Sequence, residues 1–383
     1  MIPYGKQDIS QGDIDSVVEV LKSDFLTQGP AVPAFQSAVA EYCSARYAVA
    51  VNSATSALHI ACLALGVGHG DWVWTTPVTF VASANCALYC GAKIDFVDID
   101  PVSYNMSISA LKSKLALAKE RGRLPKVLIP VHLCGLSCDM EAIKELSNEY
   151  GFSIIEDASH AIGGKYKNST IGSCQYSDIT IFSFHPVKII TTAEGGMALT
   201  NSSQLAEKLE LLRSHGVTRA PSLMTSKPDG PWYYQQIELG FNYRMTDLQA
   251  ALGLSQLQRL DEFVAQRHKL AERYDGLLKD VAVVTPQRGS ECYSGFHLYV
   301  IRLLDRDSGK HLEVFELLRA AGIGVNLHYM PIYKQPFYQK FDYLSNEFPE
   351  SEKYYSTAIS LPLYPSLSYP DQDEVVRALE KSL

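Results

Sequence analysis

One lysine in the sequence has surroundings that favour a nucleophilic amine. Lys188 lies between Val187 and the pair Ile189 and Ile190. Burial among apolar side chains disfavours the charged ammonium group and leaves more of the neutral, reactive amine. Most lysines are solvated surface charges, which is the alternative interpretation of this one. Lys188 is therefore a candidate for covalent catalysis through its amine.

An acidic residue ends an apolar run upstream of this lysine. Asp157 follows Ile154 and Ile155 closely, and His160 comes three residues later. A carboxylate at the end of a buried strand is costly unless it meets a cation or hydrogen-bond donors. A protonated pyridine nitrogen would be such a cation, and holding it protonated makes the ring an electron sink. A helix-capping or magnesium-binding aspartate is the alternative, but no second acid or hydroxyl cluster for the metal is evident.

A third group of residues combines small and hydroxyl side chains between a predicted strand and a predicted helix. It covers residues 52–58 and includes Ser53, Ala54 and Thr55. Free backbone N–H groups at the positive end of a helix form a phosphate site, to which hydroxyl groups add donors. An ordinary helix cap formed by Ser53 or Thr55 is the alternative interpretation.

Short apolar runs alternate with helical stretches over the first two-thirds of the chain. The predicted strands cover residues 48–51, 72–74, 94–97, 127–131, 153–155, 179–184 and 197–199. The predicted helices cover residues 53–65, 80–89, 107–121 and 140–150. This alternation predicts an α/β fold with a mostly parallel central sheet and helices on both faces. Ligands of such sheets lie beyond the carboxyl ends of the strands, so residues just after a strand are the candidates for a site.

The last third of the chain has a different pattern. We expect one long helix over residues 246–278, then a strand at 296–303, a helix at 312–321 and a strand at 325–328. Residues 220–232, rich in Pro, Ser and Gly, predict a surface loop. The expected organisation is a large domain over residues 1–255 and a smaller C-terminal α+β domain over residues 256–383.

Composition excludes several classes of protein. The 383 residues are 46% hydrophobic and 20% charged, which is typical of a folded chain of about two domains. The formal net charge of -8 argues against a nucleic-acid scaffold. We expect a cytoplasmic protein because no signal peptide or membrane span is evident. The eight cysteines lack metal-ligand spacing, so reduced thiols and no bound metal are expected.

Several blocks, in one order, carry a family resemblance. Besides Asp157 and Lys188 they lie at residues 26–30, 76–80, 131–135, 213–216, 240–245 and 325–331. From about Tyr4 to its C-terminus, the chain resembles the DegT/DnrJ/EryC1/StrS-type sugar aminotransferases, which are fold-type I enzymes that use pyridoxal 5′-phosphate (PLP). Many relatives carry Gln at the position of His160. A dehydratase branch carries His at the position of Lys188, so the lysine places this chain outside that branch.

The resemblance implies a role for each cofactor-binding residue. Lys188 would bond the cofactor and then move the proton of the reaction, and Asp157 would pair with the pyridine nitrogen. His160 would lie beside the ring, with a satisfied core histidine as the alternative, and Phe80 would stack on the ring unless it is plain core packing. The phosphate contacts implied are Ala54, Thr55, Ser183 and, from the neighbouring subunit, Asn242.

The resemblance also implies substrates and a dimer. Its nearest subgroup aminates C4 of a UDP-linked 2-acetamido-2,6-dideoxy-4-ketohexose in pseudaminic acid synthesis, with L-glutamate as donor and 2-oxoglutarate as product. The substrate contacts implied are Tyr4, Asp24, Phe25, Leu26, Thr27, Ala54, Ser183, Asn242, Asn326, Leu327, His328 and Tyr329, though each of those outside the cofactor site could equally be structural. Arg219 and Arg244 are candidates for binding the carboxylates of the donor, with surface ion pairs as the alternative. A homodimer with shared active sites is expected.

Three other functions remain as alternatives. One is amination of another nucleotide-linked sugar, such as a 4-keto precursor of bacillosamine or perosamine, or a 3-keto sugar. Another is a different PLP reaction on such a sugar. The third is a catalytically silent member of the family in an assembly role. Residues 66–70, Gly-Val-Gly-His-Gly, resemble a dinucleotide-binding loop, but they follow a helix and precede a strand, so a turn is expected there.

Overall fold

The computed structural model describes residues 1–304 and 308–383. Its strands, in chain order, are β1 Tyr47–Val51, β2 Trp72–Thr75, β3 Lys93–Phe96, β4 Val127–Ile129, β5 Ser153–Asp157, β6 Lys165–Tyr166, β7 Ser169–Thr170, β8 Ile179–Ser183, β9 Gly196–Thr200, β10 Val217–Thr218, β11 Gln235–Gln236, β12 Val283–Val284, β13 Cys292–Tyr293, β14 Tyr299–Leu303 and β15 Ala358–Leu361.

The α-helices surround and follow these strands. They are α1 Gln11–Lys22, α2 Ala31–Cys43, α3 Ala54–Ala64, α4 Ala82–Tyr89, α5 Ile108–Glu120, α6 Met140–Tyr150, α7 Ser203–Arg213, α8 Asp247–Leu257, α9 Leu260–Leu277, α10 Ser308–Ala320, α11 Pro349–Tyr355 and α12 Tyr369–Ser382. Residues 220–232 contain neither helix nor strand, as predicted.

A seven-stranded sheet forms the centre of the large part of the chain. Its strand order is β1-β9-β8-β5-β4-β2-β3. The five strands from β8 to β3 are parallel to one another, whereas β9 runs antiparallel to both β8 and β1. The strands β8 and β9 are buried along their whole length. The predicted mostly parallel sheet is therefore confirmed, with one antiparallel strand near its edge.

Local capping fixes where the helices next to the site begin. Ser53 caps α3, because its hydroxyl accepts a hydrogen bond from the backbone N–H of Ser56 at 3.1 Å. Thr246 caps α8 and forms a reciprocal pair with Gln249. Such caps satisfy donors that the first turn of a helix leaves unpaired.

A separate three-stranded antiparallel sheet, β12-β14-β15, packs with α9, α10 and α12 in the C-terminal part of the chain. Its core is a cluster of buried side chains that includes Tyr299, Ile301, Val314 and Leu379. The division of the chain into domains at residues 255 and 256 stays a prediction.

Two expectations for the C-terminal third were wrong. The helix predicted over residues 246–278 is broken: α8 ends at Leu257 and α9 begins at Leu260. Gln258 and Arg259 form tight turns there, and the Arg259 guanidinium bonds the carboxylates of Asp8 at 2.7 Å and of Asp13 at 2.7 Å. Contacts with the N-terminal segment hold this turn, and such contacts are invisible in a local pattern.

The strand expected at residues 325–328 was also wrong. Only Asn326 forms a bridge there, with Ser360. The Asn326 side-chain oxygen accepts a bond from the N–H of Leu327 at 2.8 Å, which turns the backbone away from the sheet. The segment thereby faces a cavity instead of extending β15.

No helix among the described residues is long and apolar enough to cross a membrane.

We predict that Asp247 anchors the segment before α2. Its buried carboxylate accepts bonds from the N–H groups of Gly29 at 2.8 Å and Ala31 at 2.7 Å. Asp247→Ala should lower the free energy of unfolding by about 3 kcal/mol, because it leaves buried donors unpaired. Asp15→Ala removes an exposed carboxylate and is the control, with an expected change of roughly 0.5 kcal/mol or less. Equal losses in urea denaturation of both variants would contradict this role.

Candidate active site

A cavity of about 650 Å³ opens at the carboxyl ends of the parallel strands. Residues that follow β1, β2, β4, β5 and β8 line it. Residues 326–330, which follow α10, line it as well. This is where an α/β sheet of this kind binds its ligand. The residues at or after the strand ends that line the cavity are Ser53, Ala54, Thr55, Thr79, Phe80, Val131, Asp157, Ser159, His160, Ser183 and Lys188.

Lys188 reaches the cavity from the loop between β8 and β9. The loop is held in place by the buried side chains of Ile189 and Ile190 and by a bond from the backbone N–H of Thr192 to the carbonyl oxygen of Phe184 at 3.0 Å. Burial lowers the pKa of the Lys188 amine to about 8, although the negative charge of Asp157 opposes this shift. A substantial neutral fraction is thus available near neutral pH, as a nucleophile requires.

Asp157, the last residue of β5, is oriented by two serine hydroxyl groups. The Ser83 Oγ donates to its Oδ2 at 2.6 Å, and the Ser159 Oγ donates to its Oδ1 at 2.6 Å. The N–H of Ser159 adds a bond at 3.2 Å. Only 5% of Asp157 is exposed, so these donors offset the cost of burying its charge.

His160 is held as a neutral ring of one tautomer. The backbone N–H of Cys134 donates to its Nδ1 at 3.3 Å, so the ring proton lies on Nε2, which is 3.2 Å from the Tyr329 hydroxyl oxygen. Burial lowers the pKa of His160 well below its ordinary value, and Lys188 adds to this. Because the ring nitrogen donates to Tyr329, the phenolic hydrogen of Tyr329 is left free to donate elsewhere in the cavity.

The opposite end of the cavity provides backbone and hydroxyl donors. Ala54 and Thr55 line it at the first turn of α3, whose cap is formed by Ser53, and Ser183 lies beside them at the end of β8. Gly196 brings β9 against this turn, since a Cβ atom there would lie 2.5 Å from the nitrogen of Ala54. The cap that was the alternative interpretation is present at Ser53, and Ala54 and Thr55, in the first turn that it caps, line the cavity.

Several residues implied as contacts of cofactor or substrate also line the cavity. Phe80 is 58% exposed, and its ring centroid lies 6.2 Å from that of Tyr329. Tyr4 packs against His328 with ring centroids 5.2 Å apart. Asn326 and Leu327 complete this wall.

Other residues implied as contacts lie outside this cavity. Asp24, Phe25, Leu26 and Thr27 are exposed on the surface, and so is Asn242. Arg219 and Arg244 share a second cavity of about 790 Å³, which His215, Tyr234 and Gln236 also line.

The sequence reasoning missed two residues of the main cavity region. Ser83, on α4, contacts Asp157. It lies three residues after Phe80, and this helical spacing is a signal that could have placed both residues on one face. His297 lies in the cavity wall with its ring centroid 4.4 Å from that of His160. No sequence signal marks His297, because it precedes β14, far from the other site residues along the chain.

Comparison with known proteins identifies the family. The model of the DegT/DnrJ/EryC1/StrS aminotransferase family matches residues 7–380. The chain belongs to this family. A UDP-4-amino-4,6-dideoxy-N-acetyl-beta-L-altrosamine transaminase of Campylobacter jejuni is 38% identical over 100% of this chain and 98% of its own. A GDP-perosamine synthase of Caulobacter vibrioides is 35% identical over 96% of this chain and 95% of its own.

Solved structures of the aminotransferase family share the fold over the full chain. Helicobacter pylori PseC, an aminotransferase of pseudaminic acid biosynthesis, has a TM-score of 0.91 at 31% identity and covers 100% of this chain and 98% of its own. A Streptococcus pneumoniae protein described as a sugar aminotransferase, solved in its pyridoxamine-phosphate form, has a TM-score of 0.91 at 28% identity, with 100% and 99% covered. The expected fold-type I is confirmed, and this family member is a PLP-dependent sugar aminotransferase.

The residues of the cavity fit this cofactor. Backbone donors at the start of α3 and the Ser183 hydroxyl suit a phosphate group. Asp157 supplies a fixed negative charge for a protonated pyridine nitrogen, and Lys188 supplies an amine of lowered pKa. The flat face of Phe80 is available for an aromatic ring.

The lowered pKa of Lys188 predicts how its reactivity depends on pH. In the cofactor-free protein, labelling of Lys188 by an amine-reactive reagent should rise with a midpoint near pH 8, because the neutral amine is the reactive form. Asp157→Asn should move that midpoint to lower pH, since the Asp157 charge raises the pKa of the amine. Peptide mass spectrometry quantifies the labelling, with the exposed Lys112 as reference for the reagent. A midpoint near the ordinary lysine value of 10.5 would contradict a buried amine.

Proposed function

We propose that the enzyme transfers an amino group from L-glutamate to C4 of a UDP-linked 2-acetamido-2,6-dideoxy-4-ketohexose. The product would be UDP-4-amino-4,6-dideoxy-N-acetyl-beta-L-altrosamine, an intermediate of pseudaminic acid synthesis. The observation that carries the chemistry is Lys188 with its lowered pKa beside the oriented carboxylate of Asp157. The Campylobacter jejuni transaminase and Helicobacter pylori PseC support the choice of sugar.

The roles of the residues follow from the geometry of the cavity. When bound, PLP supplies an electron sink that stabilises negative charge at the carbon bearing the amino group. Lys188 would take the proton from that carbon and return it on the cofactor side, since a free amine of pKa about 8 can serve as both base and acid. Asp157 would hold the pyridine nitrogen protonated. Ala54, Thr55 and Ser183 would bind the phosphate, and Phe80 and His160 would orient the ring.

The sugar nucleotide would bind along the wall that faces Lys188. Tyr4, Asn326, Leu327, His328 and Tyr329 form this wall. The free phenolic hydrogen of Tyr329 and the polar side chain of Asn326 can pair with sugar oxygens. Burial raises the pKa of Tyr329, so the phenol stays protonated and remains a donor.

We propose that the enzyme is a homodimer with shared active sites. The main cavity is lined by no arginine among the described residues, although a diphosphate and a dicarboxylate must enter it. Arg219 and Arg244 meet in the second cavity, next to the segment of Asn242. Exposed apolar side chains on the same stretch, Trp232 at 73% and Leu239 at 77%, favour its burial by another copy. We propose that this surface, with Asn242 and the exposed Asp24, Phe25, Leu26 and Thr27, completes the site of the partner subunit.

A second candidate substrate is a 4-keto sugar linked to GDP. The similarity to the Caulobacter vibrioides GDP-perosamine synthase favours it, because that relative is nearly as similar as the altrosamine transaminase. The two candidates share the reaction and the reacting carbon and differ in the nucleotide and in the acetamido group at C2.

The test offers keto-sugar nucleotides to the PLP-loaded enzyme with glutamate as donor. We expect amination of the UDP-linked 4-keto sugar, with the new amino group located on C4 by NMR. Lys188→Ala is the control and should lose both the visible absorbance band of bound PLP and the product. A colourless protein that gains no band with added PLP would contradict the reaction. Conversion of only GDP-linked, TDP-linked or 3-keto sugars would contradict the choice of sugar.

A further inference from the structure

Four histidines, His160, His185, His297 and His328, line the main cavity, and His297 has a ring nitrogen without a hydrogen-bond partner among the described residues. His160 pairs with Cys134 and Tyr329, and His328 pairs with Ser360 at 2.7 Å. The Nδ1 atom of His297 is buried and has no hydrogen-bond partner among residues 1–304 and 308–383, and only 3% of the residue is exposed. Buried polar groups are nearly always paired, so an unpaired ring nitrogen beside a binding cavity indicates a ligand.

A buried guanidinium lies directly behind His297. Arg267 is 1% exposed, and its Nη1 bonds the carbonyl oxygens of His297 at 3.2 Å, Phe296 at 3.2 Å and Leu363 at 2.9 Å. These partners are carbonyl oxygens, and no salt bridge to Arg267 is present among the described residues. Burial lowers the pKa of Arg267 to about 10, so it stays charged at neutral pH. An unpaired buried cation is costly to stability, and here its field acts on the cavity wall.

The groups that face His297 make its surroundings electropositive. Arg267 lies behind the ring, Lys188 reaches from the β8–β9 loop, and His160 and His328 flank it. Burial, with these neighbours, lowers the pKa of His297 well below its ordinary value. The ring is therefore neutral and carries one N–H donor in a positive field, which is a setting that suits an anionic oxygen.

Resting on the proposed function, we propose that His297 binds the α-carboxylate of the amino donor, with Arg267 supplying the positive charge behind it. The α-carboxylate is attached to the carbon that reacts beside Lys188, so it must lie in this part of the cavity. Among residues 1–304 and 308–383, no arginine lines the main cavity to bind that group. Residues of the same chain as Lys188 would thus bind the donor near its reacting carbon. Arg219 and Arg244 would then bind other anionic groups.

The test measures donor binding without chemistry. Glutarate, a dicarboxylate that lacks the amino group, is titrated into the PLP-loaded enzyme in a calorimeter. His297→Phe should weaken its binding by about tenfold or more, as expected for a lost bond to a charged group. His297→Gln keeps an N–H donor and should retain most of the affinity. His268→Phe is the matched control, because His268 lies on α9 next to Arg267 but bonds the carbonyl oxygen of Ser294 outside the cavity.

Steady-state kinetics of the same variants separate the donor from the sugar. His297→Phe should raise KM for glutamate by about tenfold or more and change KM for the sugar nucleotide by about threefold or less. Unchanged glutarate affinity, equal effects on both KM values, or equal losses in the Phe and Gln variants would each overturn the proposal. An intact visible PLP band and sugar amination in these variants would show that the proposed function stands even if this inference fails.

Discussion

The structure depends on a carboxylate and an amine that are held at the carboxyl ends of two neighbouring strands of a buried sheet. Asp157 ends β5, and Lys188 follows β8, the strand that pairs directly with β5. Burial disfavours the charge on the Lys188 amine and lowers its pKa, while the negative charge of Asp157 favours that charge. Serine hydroxyl groups fix the carboxylate, and the packed isoleucines after Lys188 fix the amine. The rest of the cavity is arranged around the space between these two groups.

Lys188 is the one lysine or arginine in the lining of the main cavity among the residues that the structure describes. The first turn of α3 and the hydroxyl of Ser183 offer neutral donors at one end, and neutral histidine rings line the other. Further positive charges lie behind or outside the wall, at Arg267 and in the cavity of Arg219 and Arg244. Under the proposed function, an amino acid and a sugar nucleotide would use this same space in turn.

The parallel sheet and the positions of Lys188 and Asp157 could be predicted from the sequence, because strand and helix periods are local and residues after parallel strands meet at one edge. The break between α8 and α9 could not be predicted from the sequence. It is held by bonds from Arg259 to Asp8 and Asp13, which are far away along the chain. The place of His297 in the cavity could not be predicted for the same reason, because the packing of β14 beside β15 brings it there. Asn242 lies on the surface of the single chain, so its proposed role would require a second subunit.

The most direct measurement maps the lysine that carries the cofactor. The PLP-loaded protein is reduced with borohydride, which makes the bond between lysine and cofactor permanent, and is then digested and analysed by mass spectrometry. The account predicts that the pyridoxyl group is found on the peptide of Lys188 and on no other lysine. A label on another lysine, or a loaded protein that acquires no label, would contradict it.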